Sequence, residues 1–361
     1  MAPADQGIFI PVPSASVPLS TGRMLAEAVK SSGDGTVTIR FLFRTEEALP
    51  AFESVAEFSS FGPTIDGRFK PDVVAPGEEI KSASKSYSEN ECTTERISGT
   101  SMATPLVAGI TAIVRQYLMD GHYPGGEKGS SEAETPTGAL IKGIVINGAA
   151  QLKGFAQSGL PLEATPSFRQ GWGRVELDTS LPLEDSGKEL HFADWKNLES
   201  TGDSHHYCLK TPSNANLSSI SITLNWMDAP GALSGGGYLV NDLDLDISVP
   251  AGEAEVSWGA ALHPDRVNNV EKAVVQYPKS ESIYHLTVTA HQIKWPMGNG
   301  RGQLYALVVF GPEGIQLSES CDDFEEDAAL EEAEKYEIVI SESPESLETD
   351  SEVAMVAGEG L

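Results

Sequence analysis

Basic residues are scarce: 24 Lys and Arg stand against 53 Asp and Glu in 361 residues, a net charge of −29. A surface so negative repels phosphate backbones and anionic headgroups, which argues against nucleic acid or acidic membranes as partners. Long apolar runs are missing as well. No segment approaches the ~20 residues that cross a bilayer, so 40% hydrophobic content reads as a globular chain with no membrane partner. Cysteine is limited to Cys92, Cys208 and Cys321. An odd number at wide spacing reveals neither a disulfide framework nor a zinc site, and unpaired or partly paired thiols are the plain expectation. Met1 is followed by polar residues and prolines without a basic stretch or an apolar core, so no signal peptide is expected in this chain. Histidine is absent before His122; the others are His191, His205, His206, His263, His285 and His291.

What is present begins with Gly99-Thr100-Ser101-Met102-Ala103-Thr104-Pro105. Leu106, Val107, Ile110, Ile113, Val114, Tyr117 and Leu118 recur on a helical period, which predicts a buried helix starting near Ser101. Pro105 suits the first turn, where a missing N–H costs nothing. A serine at that place sits at the positive end of the helix dipole beside unpaired N–H groups suited to an oxyanion. Taken alone, it reads as a helix-capping serine.

The surrounding blocks decide between the two. Glu57-Phe58-Ser59-Ser60-Phe61-Gly62-Pro63, Asp66-Gly67-Arg68-Phe69-Lys70-Pro71-Asp72-Val73-Val74-Ala75-Pro76-Gly77 and Ser98 to Pro105 resemble, in order, the nucleophile-bearing third of the subtilisin-like serine proteases. Lys142-Gly143-Ile144-Val145-Ile146-Asn147-Gly148-Ala149 and Gly171-Trp172-Gly173-Arg174-Val175 resemble that family's closing helix and core turn. The resemblance implies an α/β core with a parallel sheet. In it Ser101 attacks the scissile carbonyl and lends its own N–H to the oxyanion hole, and Gly99 and Thr100 contact substrate.

A serine of this kind needs a histidine to take its proton and a carboxylate to orient that histidine. In the family these precede the serine in the order Asp, His, Ser. Here every histidine follows Ser101, and Asn90 is the sole asparagine before it, set in a polar loop rather than an oxyanion motif. Asp185-Ser186-Gly187 imitates the aspartate motif without the apolar strand that should lead into it. The chain is therefore expected to be the C-terminal part of a subtilase, with Asp, His and Asn encoded upstream. An α/β-hydrolase order fails on context, because Ala103 replaces the last glycine of a nucleophile elbow and Glu91 to Arg96 is polar.

Ahead of these blocks, Ile8 to Val12 reads as a strand, Ser20 to Ser31 as a helix, and Val37, Ile39, Phe41 and Phe43 as a second strand. Ile10 to Phe43 is similar to the end of a protease-associated insert; a plain β-α-β piece of the core is the alternative. Further on the period becomes two. Ile220, Ile222, Leu224 and Trp226 alternate, then Leu243, Leu245, Ile247 and Val249, then Tyr284, Leu286, Val288 and Ala290, then Leu304, Ala306, Val308 and Phe310. Such segments predict an antiparallel β sandwich. Asn241 to Asp246 and Asn268-Asn269-Val270-Glu271 resemble motifs of the jelly-roll domain of some alkaline subtilases. Asp242, Asp244 and Asp246 leave one face of their strand, where a structural calcium ion would relieve their repulsion. A solvent-facing acidic stripe explains them equally well. From Glu319 onward sixteen acidic residues face a single lysine, which predicts a solvated, disordered tail.

The expected architecture is thus a partial α/β subtilisin-like core plus an all-β jelly roll. Residues 1–48 end an insert, 49–188 carry the nucleophile, 189–312 form the β domain and 313–361 the acidic tail. The expected activity is serine endopeptidase chemistry on polypeptide substrates by a monomer that needs no cofactor for catalysis and is secreted in its full-length form. The competing expectation is a non-catalytic binding or stabilising module, or an inactive gene fragment.

Overall fold

The stretch Gln303–Pro312, Gln-Leu-Tyr-Ala-Leu-Val-Val-Phe-Gly-Pro, is apolar at almost every position, and a strand of that kind fits where both of its faces are covered. The computed structural model describes residues 53–324 except 86–91, 157–158, 214–217, 232–238, 250–254, 260–262 and 296–301. The expected elements between Ile8 and Phe43 lie outside the described residues.

In chain order the strands are β1 (Ile80–Ser84), β2 (Thr93–Ile97), β3 (Lys188–Leu198), β4 (Ser204–Lys210), β5 (Ile220–Trp226), β6 (Asn241–Ser248), β7 (Glu255–Trp258), β8 (Val270–Gln276), β9 (Ile283–Ile293), β10 (Gln303–Pro312) and β11 (Gln316–Ser318). Among the described residues the named helices are α1 (Thr100–Met119) and α2 (Gly138–Asn147). β1 and β2 form a hairpin of their own, and the rest make a five-stranded sheet, β3-β10-β5-β8-β7, and a four-stranded one, β11-β4-β9-β6. All pairings between named strands are antiparallel. Among the described residues, the expected parallel sheet is represented by one isolated parallel bridge, Val74 to Arg174.

The two larger sheets pack face to face. Ile220, Ile222, Leu224 and Trp226 from one meet Leu243, Leu245, Tyr284, Leu286, Val288 and Ala290 from the other in a single buried cluster. Burial of each such side chain contributes about 2 kcal/mol. The period-two reading of β5, β6 and β9 holds, but that of β10 is corrected. Tyr305, Leu307 and Val309 face the sandwich core, whereas Ala306, Val308 and Phe310 face the helices. With apolar side chains on both faces, alternation alone did not tell inside from outside.

α2 lies across this outer face. Thr137 caps it, accepting from Leu140 N–H at 3.0 Å, while Thr137 N–H and Oγ1 donate to Asp194 of β3 at 2.8 and 2.7 Å. Asn225 Nδ2 donates to Ala139 O at 2.7 Å near the start of the helix. At its end Asn147 Oδ1 accepts from Ser221 and Thr223 hydroxyls at 2.7 Å each, and Lys272 Nζ donates to the carbonyls of Ile146 and Asn147 at 3.0 and 2.8 Å. In between, Gly143 lets the helix sit close: a Cβ there would lie 3.1 Å from Val308 Cγ2.

α1 departs from the expected buried helix. Val114, Tyr117 and Leu118 are buried, but Leu106 is 39% and Ile113 48% exposed. Among the described residues nothing covers that face. At the other end of the chain the predicted tail begins too early at 313. β11 pairs with β4, Phe324 is buried, and Cys321 is joined to Cys208, leaving Cys92 free.

Candidate active site

Three separated stretches hold Ser101 in place. Trp172 N–H donates to Asp72 O at 2.8 Å, Val74 N–H to Gly173 O at 2.9 Å and Val175 N–H to Val74 O at 3.0 Å, so residues 71–75 run beside 171–175. Gly171 is required at this contact: its φ is +57° and a Cβ would stand 2.1 Å from Pro71 O. The chain then reaches Gly77, whose carbonyl accepts from Gly99 N–H at 2.7 Å. A side chain on Gly77 would come within 2.9 Å of Gly99 O. Ser98 Oγ accepts from Glu79 N–H at 2.9 Å and completes the brace. α1 starts directly after it with Gly99 at the N-cap, so no side chain satisfies the first-turn amides.

Ser101 is exposed in that first turn, and its hydroxyl donates to the thioether of Met102 at 3.3 Å. Thr100 and Gly99 stand beside it; Thr100 O accepts from Thr104 Oγ1 at 3.0 Å. The serine has amide donors and a helix dipole, but among the described residues no base bonds its hydroxyl. His122 Nδ1 contacts Gly126 O at 3.0 Å, and His191 Nε2 contacts Glu189 at 3.0 Å. His205 bonds Tyr305, and His206 bonds Ser204 and Thr287. His263 stacks on Trp258, His285 lies against Cys208 and Cys321, and His291 is 3.9 Å from Asp244. All seven histidines are thus committed away from Ser101. Asp72, within the motif blocks, is also occupied. Burial raises its pKa, but Lys142 at 3.0 Å and Lys70 outweigh this and hold its carboxyl below the usual range. Asp185, the imitation motif, sits in a turn with φ +59°.

The aspartate ladder on β6 faces a guanidinium. Arg266 Nη2 donates to Asp244 Oδ2 at 2.9 Å, its Nη1 bonds Asp244 Oδ1, and Nη1 lies 3.5 Å from Asp242. Asp242 and Asp244 are buried, which overturns the solvent-facing stripe for these two. Asp246, with a side chain 68% exposed, is 3.6 Å from His263. These residues do not fit a calcium cage. Both oxygens of Asp244 are taken by Arg266, and of the buried pair only Asp242 Oδ1 lacks a partner among the described residues. Arg266, a residue the sequence reading did not single out, supplies the cation. The signal was present, since a carboxylate ladder between core leucines requires a counterion and Arg266 precedes the second motif by two residues.

That second motif closes the same network. Glu271 Oε2 accepts from Leu245 N–H at 2.7 Å and Oε1 from Asp265 N–H at 3.1 Å. Asp265 accepts from Val267 N–H, Asn268 N–H and Asn268 Nδ2 at 2.8, 3.0 and 2.8 Å. Asn268 Oδ1 in turn accepts from Phe69 N–H at 2.8 Å, which ties the motif block before Asp72 to the sandwich. Burial raises Asp242 to about 6 and Glu271 to about 8.

Residues 47–173 match the model of the subtilase family. Over 343 residues the chain is 32% identical to the serine protease/ABC transporter B family protein tagD of Dictyostelium discoideum, a match covering 78% of this chain and 18% of that protein. It is 37% identical over 106 residues to the serine protease AprX of Bacillus subtilis, covering 26% and 24%. With pyrolysin of Pyrococcus furiosus it shares 32% over 159 residues, covering 40% and 10%. The chain spans less than a fifth of the length of the Dictyostelium relative. It carries a subtilase-family peptidase domain, whose relatives are named as serine proteases.

Proposed function

We propose that this chain is the nucleophile-bearing part of a serine endopeptidase that cleaves polypeptide substrates through an acyl-enzyme formed on Ser101. One observation carries the reading: Ser101 is exposed in the first turn of a helix braced by Gly77 and Gly99, inside a match to the subtilase family. In that position its own N–H serves the oxyanion, and Gly99 and Thr100 line the substrate. The base and its orienting carboxylate come from a segment outside this chain, because all seven histidines here have other partners. The face of α1 at Leu106 and Ile113, uncovered among the described residues, is consistent with this, since an apolar helix face calls for a packing layer. On the same reading residues 49–188 belong to the catalytic domain, the sandwich is a jelly roll, residues 1–48 end a protease-associated insert, and the full-length protein is a secreted monomer.

The experiment is fluorophosphonate labelling. The purified chain should label no more than Ser101→Ala, because triad residues act as a unit. The full-length protein from its source should label at Ser101, located by peptide mass spectrometry. Labelling of the isolated chain at Ser101 refutes the external base. Absence of label in the full-length protein favours a non-catalytic module, a reading supported by the histidine placements.

A further inference from the structure

Cys208, His285 and Cys321 come from three distant stretches to one point on the four-stranded sheet. Cys208 on β4 stands directly opposite His285 on β9. Cys321 follows β11, which pairs with β4 at Ser318 to Cys208. His285 Nδ1 lies 3.6 Å from Cys208 Sγ and 3.5 Å from Cys321 Sγ. Among the described residues these sulfurs are the imidazole's hydrogen-bond partners. Nothing in the proposed peptidase chemistry uses the cluster.

Those two separations have a chemical meaning. Zinc bound tetrahedrally, with Zn–N of about 2.05 Å and Zn–S of about 2.3 Å, sets each N···S edge at about 3.6 Å. Both N···S edges of such a site are therefore already in place. The sulfurs are joined in the structure, with their Cα atoms 5.4 Å apart; parting them to about 3.8 Å completes the three-ligand geometry. Two thiolates and an imidazole select zinc over harder cations. Cys208 is buried, Cys321 half-buried and His285 exposed, so the fourth position opens to water. Asp322 and Asp323 beside it, in a chain of net charge −29, favour the approach of a cation.

We propose that Cys208, His285 and Cys321 form a two-state site: a disulfide when oxidised, and a zinc(II) site with one water ligand when reduced. Two equivalents of a small-molecule thiol supply two electrons and two protons, opening the Cys208–Cys321 bond and forming the thiol's own disulfide. Zinc then displaces the two cysteine protons to solvent and accepts the lone pair of His285 Nδ1. In both states the crosslink fastens β11 and the buried Phe324 to β4 across a sequence separation of 113 residues.

The test uses the whole chain with Cys92→Ser, which removes the remaining thiol. One portion is kept oxidised. Another is reduced with a phosphine and desalted without oxygen. Zinc stoichiometry is read by native mass spectrometry, and cobalt(II) substitution by its thiolate charge-transfer and tetrahedral absorption bands. The reduced chain should take up one zinc and the oxidised chain none. His285→Ala, at an exposed strand position, should still form the disulfide and bind zinc at least tenfold more weakly. Equal uptake by reduced and oxidised chains overturns the proposal, as does undiminished affinity in His285→Ala. Cys208→Ser should take up no zinc at this site; if it fails to fold, the histidine variant still decides the matter.

Discussion

Glu271 is 3% exposed, and each of its carboxyl oxygens accepts a backbone N–H. Burial, reinforced by Asp244 and Asp265, outweighs those two bonds and raises its pKa from 4.5 to about 8. The folded chain therefore holds a proton that the unfolded chain has released between these values, and stability falls as pH rises through that window. Asp242, raised by burial to about 6, adds to the fall at its lower end. Denaturant unfolding between pH 5 and 8.5 should show this decline. Glu271→Gln should flatten it. The variant's deficit, about 1–3 kcal/mol at pH 5 because an amide NH2 cannot accept one of the two N–H groups, shrinks as pH rises. A slope unchanged in the variant would assign the decline to other groups. Ser101 is the opposite case, exposed and with the Met102 thioether as its hydroxyl's partner among the described residues.

At the scale of the element, β6 and the turn before β8 act together. The alternating Leu243 and Leu245 enter the core, so Asp242 and Asp244 must leave on the other face, where Arg266 meets them. Arg266→Met leaves two buried carboxylates facing each other without a cation. The expected loss is about 2 kcal/mol, below the ~3–5 kcal/mol of a fully buried pair because the Arg266 side chain is 36% exposed. Calcium should not raise the unfolding temperature of the wild-type chain, since it would have to displace the guanidinium. A calcium-dependent rise in calorimetry that Asp244→Asn abolishes would restore the ion to the ladder. The helices show the same dependence on partners: α2 is closed at both ends by side chains of the sandwich, while α1 has an apolar face without a partner among the described residues.

For the whole molecule, the five-stranded sheet is the shared wall between the sandwich core and the helix cluster. At Gly143 a Cβ would meet Val308 Cγ2 at 3.1 Å and Asn225 Cβ at 3.6 Å. Gly143→Leu should push α2 off Val308 and Asn225 and cost about 1–3 kcal/mol by overpacking. Because Ala306 and Val308 belong to the helix cluster and Leu307 to the sandwich core, the wild-type chain should unfold in one transition. In the variant, fluorescence and far-ultraviolet circular dichroism should no longer give coincident curves. Coincident curves with unaltered stability would show that the helix layer tolerates displacement.

Much of this architecture was legible in the residues. Ser101, Gly77, Gly99, Gly171 and Gly173 lie in local blocks whose spacing reports backbone approach, and β5, β6 and β9 each have one apolar face, so period two reads them directly. Other features depend on pairs far apart in sequence. β10 is apolar on both sides, so its inward face was settled only by which sheet packs against Leu307 and which helix against Val308. Cys208 and Cys321 are separated by 113 residues, and no spacing rule joins them; the pairing of β11 with β4 does. Arg266, in the turn before β8, reaches Asp244 across 22 residues, where Glu271 of β8 accepts from Leu245 N–H of β6. Short-range periodicity and turn chemistry are written along the chain, but counterions, crosslinks and the second face of a doubly covered strand are relations between elements, and packing alone creates them.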